Sequence, residues 1–223
     1  MTYVMSDLHG NYQKFTEMLS EISFKADDVL YLLGNLVDYG EESMELIEDV
    51  SMRLNVYPIA GERDFLAARM LHGFERMLKS GGTPDPTYIS TMTAWVADGG
   101  QPTLEGFRAL DADAREGVLE YFEDMMLYEE VRVKGKDYLL VHAGIADYRE
   151  GSDLEDYGPE AFFTVSPDRR VPLVKGKTLV VGHTPTESGA IEYGEGSIFI
   201  NCGVKDGGKL ACLCLESGEE FYV

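Results

Sequence analysis

Long hydrophobic runs are missing from these 223 residues: no stretch approaches 18 consecutive apolar residues, so no membrane-spanning helix is expected. The apolar run Tyr3–Met5 follows Met1 without a charged leader or a long hydrophobic segment. A secretory signal is therefore not expected, and the cytoplasm is the expected location. Positive charge is scarce, with 19 Lys and Arg against 40 Asp and Glu, for a formal net charge of -21. Phosphate backbones repel such a surface, which argues against a nucleic-acid duplex as partner. The acidity reads as a solubilising surface, part of which could surround a cation site. Cysteine is also scarce: Cys202, Cys212 and Cys214 stand without a spaced set of His or Cys around them. Neither a zinc finger nor a disulfide framework is expected. Cys212 and Cys214 alternate in a strand-like run and should share one face as buried free thiols.

The chain is long enough for one domain with a full core, over residues 1–223. Short β-branched and aliphatic runs recur at Tyr3–Ser6, Val29–Leu33, Val56–Ile59, Tyr138–Val141, Thr178–Val181, Ile198–Asn201 and Leu210–Leu215. Helical spacing separates the early ones: Phe15, Met18, Leu19 and Ile22, then Met44, Ile47 and Val50. Strand-loop-helix alternation followed by closely spaced strands predicts an α/β fold with sheets covered by helices. Residues from about 64 to 127 read differently. Helical segments at Phe65–Leu78, Ile89–Val96, Leu104–Leu110 and Val118–Met126 are broken by Gly81-Gly82, Pro84, Pro86 and Gly99-Gly100. This is expected to be a helical insert between two sheet strands, lying beside the site.

Polar residues cluster where strands end. Ser6-Asp7-Leu8-His9-Gly10 follows the first strand, Gly34-Asn35-Leu36-Val37-Asp38-Tyr39-Gly40 the second, and Gly61-Glu62-Arg63-Asp64 the third. His142-Ala143-Gly144 and Gly182-His183-Thr184-Pro185 follow two later strands. Ligands of open α/β sheets gather outside the carboxyl ends of strands, so these five loops could face one point. One strand-end histidine is usually structural. Three of the chain's four histidines in such loops, together with Asp7 and several glycines, point instead to a site. Mixed imidazole and carboxylate ligands suit Mn, Fe or Zn better than Mg or Ca alone. His72 has no such context and reads as an ordinary helix residue.

These loops resemble the five signature blocks of the phosphoprotein-phosphatase branch of calcineurin-like metallophosphoesterases, which includes bacterial serine/threonine phosphatases and symmetrical diadenosine tetraphosphate hydrolases. The family pattern is GDxHG, GDxVDRG, GNHE or GNHD, a His near HAG, and GHTP. The resemblance covers nearly the whole chain: Trp95–Gly100 and Thr103-Leu104 resemble the family's helical insert, and Ile200–Leu213 its closing strands. It implies two packed mixed β-sheets flanked by helices. It also implies a two-metal site, in which ions about 3.5–4 Å apart polarise a phosphoryl group and activate a bridging water. By the same resemblance Asp7 and His9 would hold the first metal and His142 and His183 the second. The second block's Asp bridges both ions, the third block's Asn holds the second, its His protonates the leaving oxygen, and arginines bind phosphate.

The sequence departs from that pattern where the chemistry is done. The bridging Asp is Asn35, the third-block Asn is Glu62, and the catalytic His is Arg63. An arginine stays protonated and cannot shuttle a proton. The phosphate-clamping Arg of the second block is Tyr39. Ser166 falls where a later Arg is common, and the closing Asp-Cys-Gly reads Asn201-Cys202-Gly203. Two expectations compete. Under erosion, catalysis is weak or lost and Asp38 survives as an ion-pair partner of Arg63. Under compensation, Glu62 restores the carboxylate lost at Asn35 and the chain is an active metal-dependent phosphoesterase. Erosion is the leading expectation, with one divalent metal or none, near Glu62, His142 and His183. The expected ligands are a phosphorylated protein or a nucleotide, with Arg63 and Tyr39 at the phosphate. A purely structural role for the insert has no positive support in the sequence.

Overall fold

The structure, a computed structural model, describes residues 1–81 and 85–223. Gly82 and Pro84, two of the breakers named above, lie outside the described residues. The strands are β1 (Thr2–Met5), β2 (Val29–Leu33), β3 (Val56–Ile59), β4 (Tyr128–Val133), β5 (Lys136–Val141), β6 (Thr178–Val181), β7 (Glu192–Gly194), β8 (Ser197–Phe199), β9 (Ala211–Cys214) and β10 (Glu220–Tyr222). They form two five-stranded mixed sheets, ordered β10-β9-β1-β2-β3 and β4-β5-β6-β8-β7. In the first sheet β1, β2 and β3 run parallel, joined by α1 (Tyr12–Glu21) and α2 (Ser43–Ser51). In the second, β5, β6 and β8 run parallel. The parallel strands carry all five polar loops at their carboxyl ends, which is how the topology brings those loops together.

Alternation along each strand builds two cores. Val4, Leu33, Ile59 and Leu213 of the first sheet join Leu140, Val180 and Ile198 of the second in one buried cluster. Their neighbours Tyr3, Met5, Leu30 and Leu32 instead pack with Phe15, Met18 and Leu19 of α1 and Met44, Leu46, Ile47 and Val50 of α2. The helices form because apolar residues recur every three to four positions. Each fully buried side chain on that stripe contributes about 1.5–3 kcal/mol. A one-residue slip of any of these strands would exchange the two faces, so the register is strongly held. Cys212 and Cys214 share one face as expected, which the structure places on the helix side, and all three cysteines are buried free thiols.

Four helices lie between β3 and β4: α3 (Glu62–Ser80), α4 (Pro86–Trp95), α5 (Gln101–Ala109) and α6 (Ala112–Glu123). All four expected insert helices are present, with two differences. The insert begins at Glu62, so Glu62 and Arg63 occupy the first turn of a helix. At its far end Met126 is not helical but bridges to Ile59 beside the sheet. The carboxylate of Asp64 accepts from the Gly61 backbone N–H at 2.9 Å, the N-terminal bond that starts α3. Between α4 and α5 the chain kinks at Val96–Gly100, where Gly99 takes φ 92°. The edge strands β4, β7 and β10 were not expected from the sequence, because they alternate little apolar surface and edge strands bury little.

Candidate active site

Six residues of the loops are in the left-handed backbone region although none is glycine: Asp7, His9, Asn35, Asp38, Tyr39 and His183, with φ between 46° and 74°. Each such residue costs roughly 1 kcal/mol or more, and the surrounding backbone bonds must hold it there. The Asp7 N–H donates to Gly34 O at 3.0 Å, His9 N–H to Asn35 O at 2.8 Å, and Gly182 N–H to His142 O at 2.8 Å. Gly34 is required where these loops touch, because a Cβ there would lie 2.5 Å from the Gly61 nitrogen.

The five loops do converge. The His183 N–H donates to Asp7 Oδ2 at 2.9 Å, and the rings of His142 and His183 are 5.2 Å apart. His183 Nδ1 is 3.9 Å from Glu62 Oε1, and His9 Nε2 is 3.7 Å from Asp7 Oδ1. Asn201, in place of the closing Asp, donates to His183 O at 2.8 Å and accepts from the Gly203 N–H at 2.9 Å. Ser166 meets the same loop, its hydroxyl 2.6 Å from that of Thr184. Asp7, His9, Asn35, Glu62, His142 and His183 come together where the loops meet; His72 is elsewhere, 2.9 Å from Glu123.

The two halves of the site differ in how far their donor atoms are already engaged. Asn35 Oδ1 accepts from the Arg63 backbone N–H at 2.9 Å, which fixes the amide so that its nitrogen donates to Asp7 Oδ1 at 3.1 Å. Both Asp7 oxygens thus accept hydrogen bonds, and burial pushes the Asp7 carboxyl up to about 6. In the other half, His142 places Nδ1 2.8 Å from Leu33 O, an arrangement that puts the proton on Nδ1 and bares Nε2. Burial holds the His142 imidazole neutral, its pKa pushed down to about 4, and burial with nearby Lys205 pushes His9 down to about 3. His142 Nε2 and His183 Nδ1 are buried without a hydrogen-bond partner, and so is His9 Nδ1 in the first half. A divalent ion would satisfy such nitrogens, and Glu62 supplies the nearby carboxylate, so this donor set fits a borderline metal. Among the described residues no three His, Cys, Asp or Glu side chains form a ready cage.

Arg63 forms the expected ion pair with Asp38, Nε to Oδ2 at 2.8 Å, with the Arg side chain almost fully buried and Asp38 wholly so. The pair is not the bidentate one that a free guanidinium would make. Arg63 turns Nη1 to Asp98 Oδ2 at 2.8 Å and Nη2 to Asp98 O at 2.7 Å. The remaining capacity of Asp38 is taken by Trp95 Nε1 at 2.8 Å and the Thr103 hydroxyl at 2.7 Å. The kink of the insert is pressed on this loop, with Gly99 O accepting from the Tyr39 N–H at 2.8 Å. A Cβ on Gly99 would stand 2.4 Å from the Tyr39 ring. The ring of Tyr39 has Arg63 on it at 4.9 Å and Lys205 at 4.3 Å. Sequence reasoning did not single out Lys205. Its only signal was a lysine two positions after Asn201-Cys202-Gly203.

The chain is 27% identical over 145 residues to the symmetrical bis(5'-nucleosyl)-tetraphosphatase of Acidovorax sp. strain JS42, covering 64% of this chain and 43% of that protein. It is 36% identical over 81 residues to the enzyme of that name from Pseudomonas putida, covering 35% of this chain and 28% of the relative. The chain therefore spans less than half the length of these curated relatives. A crystal structure provisionally assigned as a diadenosine tetraphosphatase superposes with a TM-score of 0.67 at 18% identity, over 100% of this chain and 92% of the other. A Saccharomyces cerevisiae protein serine/threonine phosphatase gives 0.62 at 13%, over 100% and 79%. Those two likenesses establish the fold. The model of the calcineurin-like phosphoesterases matches residues 2–212. With that match spanning nearly the whole chain, and two mixed sheets bringing its motif loops together, this protein belongs to the calcineurin-like phosphoesterase family.

Proposed function

We propose that this chain is a metallophosphoesterase-family protein that keeps a cation and phosphate-ligand pocket while its hydrolytic turnover is weak or lost. The observation that carries the reading is Arg63. It occupies the family's proton-donor position, and all three of its guanidinium nitrogens are engaged, by Asp38 and Asp98, at 2.7–2.8 Å. A guanidinium so held cannot give up a proton and has little freedom to meet a leaving oxygen. Asn35 supports the same reading, since its amide satisfies Asp7 by a hydrogen bond where the family places a carboxylate between two metals.

In this reading Glu62, His142 and His183 hold one divalent ion, Mn, Fe or Zn, whose contribution when bound is to polarise a phosphoryl oxygen. Asp7 and His9 shape the wall beside it through their bonds to Asn35 and the His183 backbone. Arg63 and Tyr39 border the space for phosphate, with Lys205 supplying a cation where the arginine of the second block is missing. The ligand class is a phosphorylated protein or a nucleotide, and the cytoplasm is the proposed location. No helix among the described residues is long and apolar enough to cross a membrane.

A second reading, an active phosphoesterase with a compensated site, draws on Glu62. Its side chain is 42% exposed and stands 3.9 Å from His183 Nδ1, free to act as a metal ligand. Hydrolysis of an aryl phosphate with added Mn²⁺, measured alongside metal content per chain, separates the two. The first reading expects at most one ion and turnover at least about 10²-fold below an intact family member. Rapid turnover with two bound ions would establish the second.

A further inference from the structure

A cavity of about 560 Å³ opens between α3, α6 and the approach to β4, a size that suits a small organic ligand. Its apolar lining includes Phe65, Ala68, Phe122 and Leu127. Three basic side chains of α3 border it: Arg69, His72 and Arg76. Their spacing of three and four residues sets them along one helix face.

The charge balance of this cavity differs from that of the chain as a whole. Of its two acids, Asp64 is held by backbone donors, the N–H groups of Gly61 at 2.9 Å and Leu36 at 2.8 Å, and Glu123 is solvent-exposed beside His72 at 2.9 Å. Arg69 and Arg76 make no ion pair or hydrogen bond among the described residues. In a chain with 40 acidic residues and 19 basic ones, two unpaired guanidiniums at one apolar cavity form a cationic opening on an acidic surface. Arg76 also borders an adjoining cavity lined by Glu116 and Glu120, whereas Arg69 does not. An incoming anion therefore meets less competition at Arg69.

We propose that this cavity binds an amphiphilic anion, its apolar body seated against Phe65, Phe122 and Leu127 and its carboxylate or phosphate group held by Arg69 and Arg76. Apolar burial supplies most of the affinity, and the guanidiniums select for a planar or tetrahedral anion through charge-assisted hydrogen bonds. The proposal is separate from the loop site and stands whether or not that site turns over a phosphate.

The test is calorimetric titration of the full chain with three probes sharing one tail: octanoate, octyl phosphate and octanol. At least one anion should saturate at one per chain and bind about tenfold or more tightly than octanol. The ratio of the two anions then identifies the head group as carboxylate or phosphate. Arg69→Gln should weaken the anion about tenfold, more than Arg76→Gln does, and leave octanol unchanged. Ala68→Phe, which fills the cavity, should remove all three. Octanol binding as tightly as the anions would overturn the proposal. So would unchanged anion affinity in an Arg69→Gln/Arg76→Gln double variant, or no saturation by any probe up to about 10 mM. Both arginines are exposed, so the double variant decides the matter even if Ala68→Phe does not fold.

Discussion

Asn35 donates its side-chain amide to the Asp7 carboxylate across 3.1 Å, and its orientation is set by the Arg63 backbone N–H bound to its oxygen. A carboxylate at position 35 would set two acids against each other in a buried loop. Like charges at that distance repel unless a cation lies between them. The amide turns that repulsion into a hydrogen bond, so the Asp7 carboxylate is satisfied without an ion beside it.

Asn35→Asp should therefore destabilise the metal-free protein by about 1–3 kcal/mol, and added Mn²⁺ should recover part of the loss. Urea unfolding with and without Mn²⁺ measures both. Equal stability of the variant and the wild type in chelator would count against the Asn35–Asp7 bond as a stabilising contact.

Arg63→Ala should cost about 3 kcal/mol, at the low end for breaking a buried ion pair, because Trp95 and Thr103 still donate to Asp38. Asp98→Ala should cost less than about 1 kcal/mol, since that side chain is 70% exposed and the Asp98 carbonyl still accepts from Arg63. Chemical denaturation of the two variants gives the comparison. A larger loss from Asp98→Ala would mean that the insert, rather than Asp38, holds the arginine.

Turnover is expected to return only when several residues change together. The triple variant Asn35→Asp, Glu62→Asn, Arg63→His should hydrolyse aryl phosphates with Mn²⁺ about 10²-fold faster than wild type, while each single change gains little. Tyr39→Arg in addition restores a phosphate clamp at the kink of the insert, and should raise the rate further. Assays at matched metal loading provide the test. A triple variant slower than an active wild type would support the compensated enzyme.

Acid stability should depend on Glu75, a buried acid of α3 that binds Arg115 Nε at 2.7 Å and faces Lys79. The Arg115 hydrogen bond holds its carboxyl below the ordinary 4.5. Below that value the unfolded chain takes up a proton at this position while the folded chain resists it. The contribution of Glu75 is therefore complete above about pH 4.5 and fades as pH falls through the lowered folded value. Glu75→Gln should flatten this part of the stability profile and lower stability at neutral pH. Unfolding free energies between about pH 3 and 7 report both effects, and a variant profile parallel to the wild type would exclude the linkage.

Much of the fold was legible in the sequence, because local rules govern it. Helical spacing of Phe15, Met18 and Leu19, strand runs ending in glycine, and the order of five polar loops each depend on neighbours a few residues away. The replacements at Asn35, Tyr39, Glu62 and Arg63 could be read for the same reason: a family motif assigns a chemical task to a position, and the residue there either suits it or does not. The partners of those residues were decided by tertiary structure. Asp98 lies 35 positions from Arg63, and Trp95 and Thr103 lie 57 and 65 from Asp38. Only packing of the insert on the loop selects them over the many other acids and donors. That Asn35 faces Asp7 follows from a single backbone N–H at Arg63, which no pattern of residue types encodes. The free arginines follow the same rule: Arg69 and Arg76 are marked on one helix face by their spacing. Whether a carboxylate reaches them depends on where α6 comes to rest against α3.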